Sequence, residues 1–174
     1  MERDGKIRLA QRLHSYVRDW RGRVLNTVAV IERDIALLIS SYFCKEEKKY
    51  FFFSEVATSH FFSFRSKINI LRKILKKDYQ FCLDQNPDFF REIERVLEFR
   101  NLIAHSPIDI SDEALKRYPK DGVGFVSYSD GVKSIKVITE AGFNEMNGIM
   151  GNVSSELATL MRFVIVEDPN EIPN

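Results

Sequence analysis

Arg100, Asn101 and His105, in the string Arg100-Asn101-Leu102-Ile103-Ala104-His105, are the residues of this chain best suited to chemistry. A guanidinium is a fixed fork of donors that can hold an anion with two bonds at once. An imidazole can move a proton near neutral pH. Arg100 follows Val96 by four residues and Leu97 by three, and Ile103 and Ala104 follow it at the same steps. It therefore falls on the apolar stripe of a helix, where a guanidinium is costly unless paired or left in a cavity. Two readings follow: an arginine satisfied by helix-end carbonyls or by a carboxylate such as Glu32 or Asp34, or an anion site where the stripe meets a groove. His105 stands five residues on. Five residues of helix turn about 140° and rise about 7.5 Å, so the two side chains of one chain are not expected to overlap. The helix end, or a two-fold partner, would have to bring them together. By itself His105 reads equally as a cap or dipole partner of the helix end.

The helix that carries them has clear limits. Asn86 can cap it, Pro87 suits its first position, Asp88 favours its dipole, and Pro107 stops it near His105. Its stripe is Phe89, Phe90, Ile93, Val96, Leu97, Ile103 and Ala104. Two helices precede it. Val24, Val28, Ile31, Ile35, Leu38 and Tyr42 form one stripe, with a helical lead-in from Ile7 to Trp20 and a bend expected at Gly22. Ala57, Phe61, Phe64, Ile68, Leu71 and Leu75 form the other, with a start expected at Ser54-Glu55. After Pro107 come a loop with one helical turn at 112–118 and a hairpin signal around Asp130-Gly131. A last helix starts near Thr139 or Glu140 and carries Phe143, Met146, Met150, Val153, Leu157, Leu160 and Val164 on one stripe. The expected fold is all-α: an antiparallel bundle of four to five helices with a small β-hairpin insertion near 122–138. One domain over 1–166 and a flexible acidic tail at 167–174 are expected.

With these residues in place, the chain resembles the HEPN superfamily (higher eukaryotes and prokaryotes nucleotide-binding domain). That family is marked by an arginine and a histidine four to six residues apart near a helix end in an all-α bundle. The likeness spans residues 20–165, and its specific part is Arg100 to His105. It implies a metal-independent endoribonuclease of the toxin or phage-defence type, acting as a homodimer with the site at the interface. RNA is the implied substrate, and an antitoxin or regulatory protein a further implied partner. Arg100 and His105 would be catalytic, with Asn101 assisting. Histidine can take the proton of a ribose 2′-hydroxyl or protonate the leaving 5′-oxygen, and arginine can stabilise the pentacoordinate phosphorus. The products would be a 2′,3′-cyclic phosphate and a 5′-hydroxyl. Many HEPN toxins paired with a nucleotidyltransferase carry a tyrosine two residues after the histidine; Pro107 stands there in this chain. Other members are binding or dimerisation modules, so a non-catalytic bundle holding a protein or nucleotide is the alternative. A third reading is an adaptor docking a partner through Phe51-Phe52-Phe53, a triplet that otherwise packs beneath its loop.

Charge supplies a second candidate surface. The chain has 174 residues and a formal net charge of +1. That balance hides 20 basic and 14 acidic residues before position 106, against 6 and 11 after it. Arg65, Lys67, Arg72, Lys73, Lys76 and Lys77 cluster on the second helix. They read as a solvated helix face or as the footprint of a polyanion such as RNA. No acidic or histidine cluster offers a metal site, and no cofactor is expected. His60 and His14 have no partner pattern, and Gly122-Val123-Gly124 is not a phosphate loop. Cys44 and Cys82 match no metal spacing and read as buried thiols of a reducing compartment. No apolar run approaches the ~20 residues of a membrane span and no secretory signal opens the chain, so a soluble cytoplasmic protein is expected.

Overall fold

The computed structural model describes residues 3–129 and 131–166. Among them the order of elements is α1 (Arg3–Phe43), α2 (Glu46–Phe51), a π-helical segment (Phe52–Ala57), α3 (Phe64–Asp78), α4 (Gln80–Gln85), α5 (Phe89–His105), α6 (Asp112–Arg117), β1 (Val123–Ser129), β2 (Val132–Ile138) and α7 (Glu140–Val166). The chain is thus mostly helical with one small antiparallel sheet. Four helices have 15 residues or more, and the other three have six each. No helix among the described residues is long and apolar enough to cross a membrane. The expected acidic tail, 167–174, lies outside the described residues, as does Asp130 of the hairpin turn.

The chain divides into two compact units. One comprises Met1–Thr27 and Glu98–Gly148, the other Val28–Leu97 and Ile149–Asn174. In the first, Leu13, Val17, Trp20 and Val24 of α1 are buried, as are Phe99 and Ile103 of α5, Phe125 of β1 and Phe143 of α7. Trp20 stacks on Phe143 with centroids 4.1 Å apart and planes 11° from parallel. In the second, Val28, Ile31, Ile35 and Leu38 are buried with Ile68, Leu71 and Leu75 of α3, Ile93 and Val96 of α5, and Val153, Leu157 and Leu160 of α7. Nearly every position of the expected stripes is therefore in a core, as periodic spacing requires.

Local outcomes differ from expectation in three places. α1 runs unbroken through Gly22, where nothing lies within 4 Å of a would-be side chain. The second stripe does not begin at Ser54: residues 46–57 form α2 and the π-helical segment. α3 is capped instead by Ser63, whose hydroxyl accepts from the Ser66 amide at 3.2 Å. Phe61 is accordingly 85% exposed, whereas Phe64 is buried. α5 starts at Phe89, two residues after Pro87, with Asn86 accepting from the Phe89 amide through its backbone oxygen at 3.3 Å.

Candidate functional site

The end of α5 is fixed by partners distant in sequence. The buried side is Phe89, Ile93, Val96, Leu97, Phe99 and Ile103, so Phe99 takes the core place expected of Arg100, and Arg100 flanks it half-buried. Ser106 closes the last turn with a bond to the Leu102 carbonyl at 3.1 Å. Arg21 of α1 then caps the carbonyls around His105: its Nε donates to the oxygen of Ile103 at 2.8 Å and its Nη2 to that of Ser106 at 2.7 Å. These are carbonyls a helix end leaves without intrahelical partners, and a cation there also opposes the helix dipole. Beyond His105 the chain is tied to the sheet. The Val126 amide donates to Pro107 at 2.8 Å, and the Asp109 amide donates to Gly124 at 2.8 Å. Gly124 leaves this approach open, since a Cβ there would meet the Asp109 Cβ and the Ile135 Cγ2 at 3.1 Å.

On this anchored end, Arg100 and His105 meet. The Arg100 Nη1 lies 3.4 Å from the His105 Nε2 and donates to the Asn101 Oδ1 at 3.0 Å. The expectation that five residues of helix keep the two side chains apart does not hold. Helix geometry fixes where each side chain leaves the backbone, but the long arginine stem spans the remaining offset. A guanidinium only donates, so any hydrogen bond between the two has Nε2 as its acceptor. Asn101 and His105 are exposed and Arg100 is half-buried, so the three polar groups are open to a solute. The carboxylates considered as its partners have others: Glu32 pairs with Lys67 at 2.5 Å and Asp34 with Arg33 at 2.8 Å.

The second group of candidates, in the other unit, has a different character. Lys67 is buried and held by Glu32, a departure from the expected exposed face. Arg65 and Arg72 share Glu94 at 3.1 and 3.2 Å, and the Arg72 guanidinium also lies 4.7 Å from the Phe90 ring centroid. Lys77 lies 3.9 Å from Asp78. Lys73 and Lys76 are exposed.

Sequence reasoning missed Arg21, whose only local signal is its place beside Trp20 on the flank of a buried stripe. Cys44 and Cys82 are free and half-buried rather than buried, and burial, then the nearby Glu156 carboxylate, raises the Cys82 thiol above its ordinary pKa. Among the described residues, no three His, Cys, Asp or Glu side chains gather as a metal ion would need. No family model, curated protein or solved structure matches this chain.

Proposed function

We propose that the protein is a metal-independent endoribonuclease of the HEPN type, an antiparallel bundle of four to five helices that acts in the cytoplasm as a homodimer in toxin or phage-defence activity. The observation that carries this reading is the 3.4 Å approach of the Arg100 guanidinium to the His105 Nε2 on a solvent-open helix end. Nε2 takes the proton of the ribose 2′-hydroxyl as that oxygen attacks phosphorus. Arg100 stabilises the charge on the non-bridging oxygens, where a guanidinium fork fits best. The bond from phosphorus to the 5′-oxygen then breaks, and that oxygen takes a proton from the imidazolium of the second copy. A 2′,3′-cyclic phosphate and a 5′-hydroxyl result. Asn101 holds the guanidinium through its amide oxygen and leaves its amide N–H groups for a phosphate.

The test is cleavage of a long mixed-sequence RNA in excess EDTA, with wild type and His105→Ala side by side. Wild type is expected to leave cyclic phosphate ends and His105→Ala to leave the RNA intact. Cleavage by both would remove His105 from the site. Cleavage by neither would favour a non-catalytic bundle that holds a protein or nucleotide through the same polar cluster.

A further inference from the structure

Two depressions border the amino-terminal half of α1, both within the first unit. One, of about 270 Å³, is lined by His14, Ser15, Arg18, Arg21 and Ile108. The other, of about 620 Å³, has Arg8, Arg12, Ser15, Tyr16, Asp19 and Tyr118 in its wall. Ser15 lines both, but at about 100° per residue Arg12 and Arg21 stand on opposite sides of α1, so the two are separate. The wider one runs from Arg8 to Tyr16, about 12 Å at the helical rise of ~1.5 Å per residue.

Its side chains suit a strand of nucleic acid. Residues 6–23 hold six basic side chains and one carboxylate, Asp19. Lys6 is taken by Asp112 at 2.5 Å, Arg18 stands 3.9 Å from Asp19, and Arg21 is spent on the carbonyls that flank His105. Arg8, Arg12 and Arg18 are exposed. Tyr16 and Tyr118 are half-buried, with ring centroids 6.0 Å apart and planes tilted by 57°. Burial, then proximity to Tyr16, raises the Tyr118 hydroxyl above its ordinary pKa. Rings of this kind stack bases of any sequence, and arginines beside them take the phosphates.

We infer that the Arg8–Tyr16 face of α1 binds single-stranded RNA, with Arg8 and Arg12 on phosphates and a base stacked at Tyr16 and Tyr118. The identity of the strand as RNA rests on the ribonuclease reading; the binding face itself does not.

The test uses the full chain carrying His105→Ala, so that RNA stays intact, and a fluorescein-labelled single-stranded RNA of about 20 nucleotides, longer than most single-strand site sizes. Anisotropy is followed across a salt series. Adding Arg8→Ala and Arg12→Ala is expected to weaken binding about 10–100-fold and to lower the salt slope by about 1.4, near 0.7 per lost phosphate contact on a single strand. Lys73→Ala with Lys76→Ala is expected to weaken it only about 2–3-fold, since neither lines that depression. A free mononucleotide at equal nucleotide concentration is expected not to displace the probe. Three results would overturn the inference: no binding by the parent, parent-like binding by the α1 variant with an unchanged melting temperature, or a larger loss from the Lys73/Lys76 pair. Displacement by mononucleotide would overturn it too, in favour of a single-nucleotide pocket. With His105 intact, the α1 variant should raise KM and spare kcat. If wild type binds through α1 and cleaves nothing, the ribonuclease reading falls and the binding face stands.

Discussion

On α3, the ammonium of Lys67 is buried 2.5 Å from Glu32, and Arg65 and Arg72 share the carboxylate of Glu94. At the end of α5, Arg100 donates to an uncharged amide and lies 3.4 Å from a ring nitrogen of His105. Cations of one kind thus stand in opposite company. A carboxylate at salt-bridge distance cancels most of the field a phosphate would feel, and displacing it means exchanging one anion for another. An amide partner leaves the charge whole. The lesson is that partners, rather than the number of cations along a helix, decide which arginine can serve a phosphate.

The largest effect expected from this contrast is at Arg100. Arg100→Ala should lower kcat/KM for RNA cleavage about 10²–10³-fold, the range for removing a donor that meets transition-state charge. Arg100→Lys should recover little of it, because a point charge cannot span two phosphate oxygens. Melting temperature should move by less than ~4 °C in either variant, since this side chain is half-buried and flanks the core. The measurement is cleavage kinetics beside thermal denaturation. Wild-type kinetics in Arg100→Ala would place it with the spent cations of α3.

Lys67 should show the reverse pattern, with a loss of stability instead of activity. Lys67→Ala strands Glu32 and opens a hole, and should cost about 2–3 kcal/mol. That is below the ~3–5 kcal/mol of a fully buried pair because the Glu32 side chain keeps 32% of its exposure. Lys67→Met fills the same volume and, paired with Glu32→Gln, should come within ~1 kcal/mol of wild type. Urea titration of the three proteins decides it. Equal stability in Lys67→Ala and wild type would mean that the pair holds nothing.

What the sequence disclosed about these regions depends on how local the cause is. The end of α5 was legible because Pro107 allows no continuation, and the hairpin because Asp130-Gly131 sits between β-branched and aromatic runs. Gly131 indeed has a φ of 78°, a backbone L side chains avoid. The start of α3 was not legible. Ser54-Glu55 and Ser63 carry similar capping signals, and what separates them is tertiary: Phe64 is buried whereas Phe61 is 85% exposed. Arg100 was identified, but its contact with His105 was not, because periodicity predicts directions and says nothing of side-chain reach. The α3 cations were counted correctly and their carboxylates were not foreseen, since Glu32 lies 35 residues from Lys67 and Glu94 lies 22 residues from Arg72.

Arg21 lies furthest from local reasoning, 82 and 85 residues from the carbonyls it binds. It also gives the smallest effect of the three. Its two bonds are made by one charged fork at a partly exposed helix end, where water can replace them in part. Arg21→Ala should therefore cost about 1–2 kcal/mol. Arg21→Lys distinguishes the fork from the charge. Lysine preserves the favourable cation at the end of α5 but reaches one carbonyl at a time, so it should recover less than half of the loss if geometry matters most. Because those carbonyls flank His105, the same variants should lower kcat for RNA modestly, about 3–10-fold, with KM moving less, as expected of a residue that positions another. Full recovery by lysine in both stability and kcat would show that charge at the helix end, and no fixed geometry, is what Arg21 supplies. Arg21 would then belong with the cations of α3, whose effect is electrostatic, and Arg100 alone would act through the shape of its fork.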